Sequence, residues 1–420
     1  MRFPGFLPAL GRAAGLVWIA LFSLFLASGC GQQRLLKKNP RLQHFTDRTA
    51  TLLPKLHGLI LGARFARADG DDYPDLLILK PGRAPVLEVW LNKQGERFVP
   101  ADRFWKGKPG DRVTDLEVGD FDRDGRHDVI LVGRFADGAR ARLLSNNGRG
   151  YFYESVEKPQ LLVRDGMRRV DVLDLDSDQN PDILFYGEDV RGKDGNPAPH
   201  QVQFFLNQGE GRFQDRTRLL WPPLRPGIQG AVYADYDGDQ TLDVFIYYSN
   251  GRNVLLFNNG LGKLTDLTAA NLPAVQDQTV HADWADFDQD GDNDLLVINR
   301  SLARRDRAYP KEFHYALENN GRGYFRKRAV KALPPFPATG VYLLDADGDE
   351  WPDTLLVTPK RTHYLRGAGP WKFSLESKKR LPGGDVIRDL TFADVDDNSY
   401  LDFFGVTVNG GEGRLWLNEF

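Results

Sequence analysis

One cysteine, Cys30, stands in a chain of 420 residues, so no disulfide within the chain can staple the fold. Histidine and cysteine never recur together at ligand spacing, which leaves no cluster of the kind zinc requires. The chain contains no Ser-His-Asp signature and no glycine-rich phosphate loop. After the first 30 residues, no apolar run is long enough to cross a bilayer. Neither sign of charge is in large excess, the formal net charge being −3.

What the sequence has in abundance is one acidic pattern. Asp-x-Asp-x-Asp-x-x-x-Asp occurs as Asp120, Asp122, Asp124, Asp128; Asp174, Asp176, Asp178, Asp182; Asp235, Asp237, Asp239, Asp243; Asp286, Asp288, Asp290, Asp294; and Asp345, Asp347, Asp349, Asp353. Two further copies are degenerate. The first has Arg67 in the leading slot before Asp69, Asp71 and Asp75, and the last runs Asp394, Asp396, Asn398, Asp402. Side-chain oxygens at positions 1, 3, 5 and 9, with a backbone carbonyl near position 7, make an all-oxygen cage that suits calcium. Magnesium takes fewer protein ligands in a strict octahedron, and zinc prefers His or Cys. Without a cation, four carboxylates in nine residues repel one another. An isolated copy reads equally well as a solvated acidic turn. Seven copies in register, each followed by an apolar run, favour up to seven calcium sites.

The final Asp residues fall at intervals of 53, 54, 61, 51, 59 and 49, a period that fits one four-stranded propeller blade per repeat. The runs after the loops, LLIL, VILV, ILFY, VFIY, LLVI, TLLV and FFGV, are short and rich in β-branched and aromatic residues, as buried strands are. A second motif follows each third strand, as in NNGRGYF at 146–152 and 319–325, NQGEGRF at 207–213 and NNGLGKL at 258–264. Its Asn and Gly residues are expected to supply the positive backbone angles of a hairpin.

With both motifs recurring in order over about residues 43–420, the chain resembles the FG-GAP/VCBS repeat proteins and the calcium-bearing propeller of integrin α subunits. The resemblance implies an all-β fold, a seven-bladed β-propeller of four-stranded blades, with calcium in the loops. It leaves function open, because such propellers serve in adhesins, lectin-like modules and polysaccharide lyases. Position 6 of the loop, usually Gly in that family, is Gly only at Gly125 and Gly291 here. Three other loops carry Gly at position 4 instead: Gly70, Gly238 and Gly348. If position 6 is left-handed, a non-Gly residue there costs about 1–2 kcal/mol, so affinities should differ between blades, loops two and five being the best formed.

The two ends complement each other. The last repeat stops in RLWLNEF with no fourth strand, while Phe45, Thr46, Asp47, Arg48, Thr49 matches the fourth-strand pattern FQDRT at 213–217. An N-terminal strand is therefore expected to complete the last blade and remove both open edges. Residues 1–29 read as a lipoprotein signal peptide: Arg2 and Arg12 precede an apolar core, and Leu26, Ala27, Ser28, Gly29, Cys30 resembles a lipobox with Cys30 as the lipidated residue. Plain signal cleavage is the alternative. Residues 30–43 form a short basic tether and 44–420 the propeller. Gly31 after the cysteine points to an outer-membrane destination, with the protein held to the membrane through its lipid anchor and no nucleic acid partner expected. Filling six or seven sites with calcium would make the net charge positive, which suits an anionic glycan or an acidic envelope protein.

In this strand order the acidic loops join the first strand to the second, so the longer, variable loops lie on the opposite face. Candidate ligand contacts there are Trp105, Trp221, Arg304, Arg305, Arg307 and Tyr309. The competing view is that segments such as WPPLRPG are rigid crossovers between blades. The leading expectation is a non-catalytic binding, adhesion or scaffold module of the bacterial envelope, and no residue is assigned a catalytic role. The alternative is a calcium-dependent lyase of anionic polysaccharide, for which His57, His281, Arg305, Tyr309 and His314 are the groups available, while His127 inside a loop reads as structural.

Overall fold

The computed structural model describes residues 44–81, 86–154, 161–187, 201–276, 278–300, 314–330, 333, 337–381, 385–408 and 411–419. The signal segment, Cys30 and the tether lie outside these residues, as do Arg304, Arg305, Arg307 and Tyr309.

Each acidic loop separates two strands of one antiparallel sheet, and the described residues form seven such four-stranded sheets. Blade 1 is built from Gly62–Ala66, Asp75–Leu79, Leu87–Asn92 and Phe98–Pro100 in that spatial order. Blades 2 to 6 repeat this order, with first strands Arg112–Gly119, Arg169–Leu173, Ile228–Ala234, Thr279–Ala285 and Gly340–Leu344. Blade 7 takes Ile387–Ala393, Asp402–Thr407 and Gly413–Glu419 from the end of the chain and His44–Asp47 from its beginning.

The second strands are apolar throughout because both their faces are covered. In blade 1, Leu77 and Leu79 enter the core shared with blade 2, while Leu76 and Ile78 enter the core shared with blade 7. A separate apolar cluster fills each of the seven gaps between adjacent blades, so the period-2 alternation of a strand serves two different neighbours. This arrangement lets a chain of this length avoid one oversized core.

Ring closure is as expected. His44 to Asp47 pair antiparallel with Glu419 to Trp416. Phe45 is buried against Tyr364 and Phe403. The match between the two FxDRT segments has a structural basis. Thr217 opens a one-turn helix, Thr217–Leu220, and its hydroxyl accepts the amide of Phe204 in the third strand at 2.9 Å. Thr49, in Thr49–Leu52, accepts the amide of Leu415 at the same distance. Thr268 and Ser377 do the same for Leu255 and Tyr364.

Two local expectations are revised. Position 4 of the loop is left-handed in all seven copies, at Gly70, Arg123, Ser177, Gly238, Gln289, Gly348 and Asp397. Position 6 is left-handed in six of them, all but the first. Glycine at either position therefore relieves one of two strained residues, and loops three and seven have it at neither. In the hairpins, the glycines take the positive angles, among them Gly148, Gly150, Gly260 and Gly262, whereas the leading Asn residues do not. Those asparagines have a different task.

Candidate functional site

The acidic-loop face is held by a repeated latch. The ninth residue of every loop opens the second strand and is buried: Asp75, Asp128, Asp182, Asp243, Asp294, Asp353 and Asp402. Its Oδ1 accepts a third-strand amide at 2.7–2.9 Å, from Asn92, Asn146, Asn207, Asn258, Asn319, Gly367 and Asn418 in turn. In six loops the other oxygen accepts the amide of loop position 2 at 2.7–3.4 Å. Each of those asparagines then donates its Nδ2 into the loop of the preceding blade at 2.6–3.3 Å, to Val395, Arg67, Phe121, Leu175, Tyr236 and Ala346. Blade 6, with Gly367 in place of Asn, keeps a backbone link to the preceding loop, the amide of Trp371 on Phe287 at 3.1 Å, as blade 2 does with Gly150 on Ala68. These asparagines were legible in the sequence only as turn residues.

Position 1 folds back on its own loop. Asp120 accepts the amides of Asp124 and Gly125 at 3.0 and 2.9 Å, and Asp174 accepts those of Asp178 and Gln179. Position 3 is different, because its carboxylate turns inward with oxygen to spare. The Oδ1 atoms of Asp176, Asp288 and Asp396 are buried without a hydrogen-bond donor, and so is Oδ1 of Asp286, a residue only 4% exposed. Carboxylate oxygens of Asp69, Asp71 and Asp75; of Asp120, Asp122 and Asp124; of Asp174, Asp176 and Asp182; of Asp235, Asp237 and Asp239; and of Asp286, Asp288 and Asp290 lie within 4.8 Å of one another. Burial pushes the carboxyls of Asp182, Asp243, Asp294, Asp353 and Asp402 up to about 8, and neighbouring loop carboxylates push the same way. Donor-free buried oxygens in a set made only of oxygen ligands fit a hard divalent cation, which when bound would neutralise the cluster.

Among the described residues, protein cations touch three of the loops. Lys93 Nζ lies 2.8 Å from Asp69 in blade 1. Arg366 pairs with both Asp347 and Asp349 in blade 6, and Arg380 joins it on Asp347 at 3.2 Å. In blade 2, the half-exposed Arg126 pairs with Asp124. His127 is structural: its Nδ1 accepts the amide of Arg67 at 3.2 Å, linking loops one and two, and burial lowers its pKa to about 4.

The first strands surround a channel lined by polar side chains. Arg64 is its hub, within 2.5 Å of Glu117 and 3.2 Å of Asp389. Tyr233 and Tyr186 donate to Asp171 at 2.6 and 3.3 Å. Asp283 accepts the amides of Trp284 and Leu343. His281 stands between the rings of Tyr247 and Tyr342, centroids 5.8 and 5.2 Å away, and burial lowers its pKa to about 4, so the imidazole is neutral near pH 7. β-Bulges interrupt four first strands near their starts, between Val113 and Asp115, Ile228 and Gly230, Thr279 and His281, and Ile387 and Asp389, re-aiming the side chains at this mouth.

On the face away from the acidic loops, the two candidate tryptophans are core residues. Trp105 packs against Phe135 between blades 1 and 2, and Trp221, 3% exposed, packs against Phe204 between blades 3 and 4. Neither indole offers a face to a ligand, because each crossover folds down over the apolar gap it spans. Of the catalytic candidates, His314 is buried with Nδ1 accepting the amide of Asn299, and His57 is exposed on the segment before blade 1, apart from the channel histidine. What the sequence reading missed is a set of exposed arginines where first strands begin and second strands end: Arg112, Arg134, Arg168, Arg169, Arg300 and Arg388. Arg112, Arg168 and Arg300 have no ion pair among the described residues. The available signal was arginine at the strand boundary remote from the loop.

Comparison with known families bears on the repeats directly. Residues 67–131, 192–246 and 235–297 match the FG-GAP-like repeat. The chain carries FG-GAP-like repeats. No curated protein matches this FG-GAP-like propeller in sequence. Among solved structures it is similar to BBS1N in complex with ARL6DN, at 10% identity over 89% of this chain and 96% of that one, TM-score 0.53. It is also similar to the rhamnogalacturonan lyase YesW (11% identity, 90% and 75% covered, TM-score 0.44) and to an Agrocybe aegerita lectin that recognises non-reducing terminal N-acetylglucosamine (18%, 75% and 79%, TM-score 0.48). At these identities the likeness is one of fold.

Proposed function

We propose that the protein is a non-catalytic, calcium-stabilised binding module of the bacterial envelope, anchored through Cys30 and the tether at the outer membrane, and that it binds an anionic glycan on the face opposite the acidic loops. The observation that carries this reading is the division of charge between the faces. The loop face is taken up by latches and clustered carboxylates, whereas the opposite face presents Arg112, Arg134, Arg168, Arg169, Arg300 and Arg388 around the channel mouth. Guanidinium groups suit planar carboxylate and sulfate groups. Calcium would act on the other side of the ring, tying each loop down and rigidifying the blades.

Binding of the purified chain to immobilised polyuronate and sulfated glycans, with and without salt, tests the reading. The triple variant Arg112→Glu, Arg168→Glu, Arg300→Glu should lose binding, while Arg322→Glu on the loop face should keep it. Equal loss in both, or retention in the triple variant, would sink the proposed face. Retention only of acidic envelope proteins, with no glycan bound, would replace the ligand class.

The lyase alternative draws on one feature, the neutral His281 between Tyr247 and Tyr342. Release of an unsaturated, ultraviolet-absorbing product from polyuronate, abolished by His281→Ala, would favour it.

A further inference from the structure

We infer that blades 1 and 6 do not bind calcium, because protein cations already occupy their loops, and that the ring takes five ions rather than seven. The inference rests on the calcium reading above and narrows it.

In both blades the cation comes from the end of the third strand or the turn just after it, and takes the same atom, Oδ2 of the position-3 aspartate. Lys93 Nζ lies 2.8 Å from Oδ2 of Asp69, and Arg366 Nε lies 2.6 Å from Oδ2 of Asp347. These residues are peculiar to their blades. At the register of Lys93 the other blades have Asn147, Gln208, Asn259, Asn320, Ala368 and Glu419, and at that of Arg366 they have Leu91, Ser145, Leu206, Phe257, Glu318 and Leu417.

Loop one also lacks its leading carboxylate, since Arg67 stands there. Loop six is the less obvious case, because all four of its aspartates are present and sequence spacing rates it a full site. Its discharge is built into the fold. Arg366 also pairs with Asp349, at position 5, and Arg380 reaches Asp347 at 3.2 Å while Glu376 holds its Nε at 2.7 Å. The Arg380 side chain is 3% exposed and that of Asp347 is fully buried. Calcium needs carboxylate oxygens at about 2.3–2.6 Å, and an ion placed between position 3 and position 5 would sit against two guanidinium groups. In blade 2 the comparable contact is made by Arg126, whose side chain is 40% exposed. An exposed pair of this kind is worth little and yields to a divalent ion. In blades 3, 5 and 7 no lysine or arginine among the described residues forms an ion pair with the position-3 carboxylates of Asp176, Asp288 and Asp396, and in blade 5 the Oδ2 of Asp288 takes the neutral indole N–H of Trp371, at 2.8 Å.

Metal counting on the full chain, stripped with chelator and re-equilibrated with calcium, decides the matter by native mass spectrometry. The expected count is five. Arg366→Leu should raise it to six. Terbium in the calcium-loaded series should then give added tryptophan-sensitised emission that a further Trp351→Phe change removes, since Trp351 occupies position 7 of that loop alone. If Arg366→Leu does not fold, a second pair decides: Asp290→Asn in blade 5 should lower the count to four, and Asp349→Asn in blade 6 should leave it at five. A count of seven in the unaltered chain, no gain in folded Arg366→Leu, or a loss in Asp349→Asn overturns the inference. A count of zero in the unaltered chain overturns the calcium reading itself.

Discussion

The Nδ2 of Asn92 donates to the carbonyl of Val395 at 2.8 Å, joining residues 303 positions apart and locking blade 1 onto blade 7. The same bond recurs in six of the seven blades, all but blade 6, and holds each of the six to the loop of the blade before it. Because Asn92 also donates its backbone amide to Asp75, one residue fixes its own loop and its neighbour's. Acidic loops and blade interfaces are therefore parts of a single network, so disturbing either disturbs both.

Removing one latch should cost more than a surface hydrogen bond. Asn207→Ala leaves the buried carbonyls of Phe121 and Pro181 without their donor. A loss of about 1–3 kcal/mol is expected from urea denaturation. Asn259→Ala, which loses only exposed bonds to turn amides, should cost less than about 1 kcal/mol. Equal costs would show that the side chain does not couple the blades.

Closure by the N-terminal strand makes a residue at the start of the chain critical to the last blade. Phe45→Ala should destabilise the ring by about 3–5 kcal/mol, the usual cost of emptying a buried phenyl site. Arg48→Ala, which loses a half-exposed pair with Glu419, should cost about 1 kcal/mol or less. Guanidinium unfolding of the two variants checks the contrast.

Chelation should lower the melting temperature. A site held at a hundred times its dissociation constant adds about 2.7 kcal/mol to the native state, so losing several ions together should be conspicuous by calorimetry. Asp286→Asn should remove a large share of the effect, because Asp286 is the most buried of the leading aspartates. An unchanged melting point in excess chelator would contradict calcium stabilisation.

Stability should fall with rising pH through the channel carboxyls. Burial pushes Asp115, Asp171 and Asp283 up from 3.8 to about 7, 6 and 7. The folded state then holds protons that the unfolded chain releases, so their contribution is full below about pH 4 and is lost as the pH climbs to about 7. With calcium in excess to keep the loop carboxylates ionised, the urea midpoint should be lower at pH 8 than at pH 5. Asp283→Asn should flatten that slope, and an unchanged slope would remove Asp283 from the account.

Much of this protein is determined by its sequence taken alone. The repeat period sets the number of blades, the apolar runs mark the strands buried on both faces, and the two FxDRT segments identify the closing strand. These are local patterns, and the backbone enforces them wherever they occur. The tertiary structure decided what depends on neighbours distant in the chain. Asn258 reads as a turn residue until Leu175 of the preceding blade is set beside it. Trp221 reads as a rim aromatic until its crossover folds over the gap between blades 3 and 4. Asp347 reads as an unmatched loop carboxylate until Arg366 and Arg380 are set beside it. Spacing reports which ligands a loop offers, but whether a charge is already matched depends on which side chains the ring packs against it.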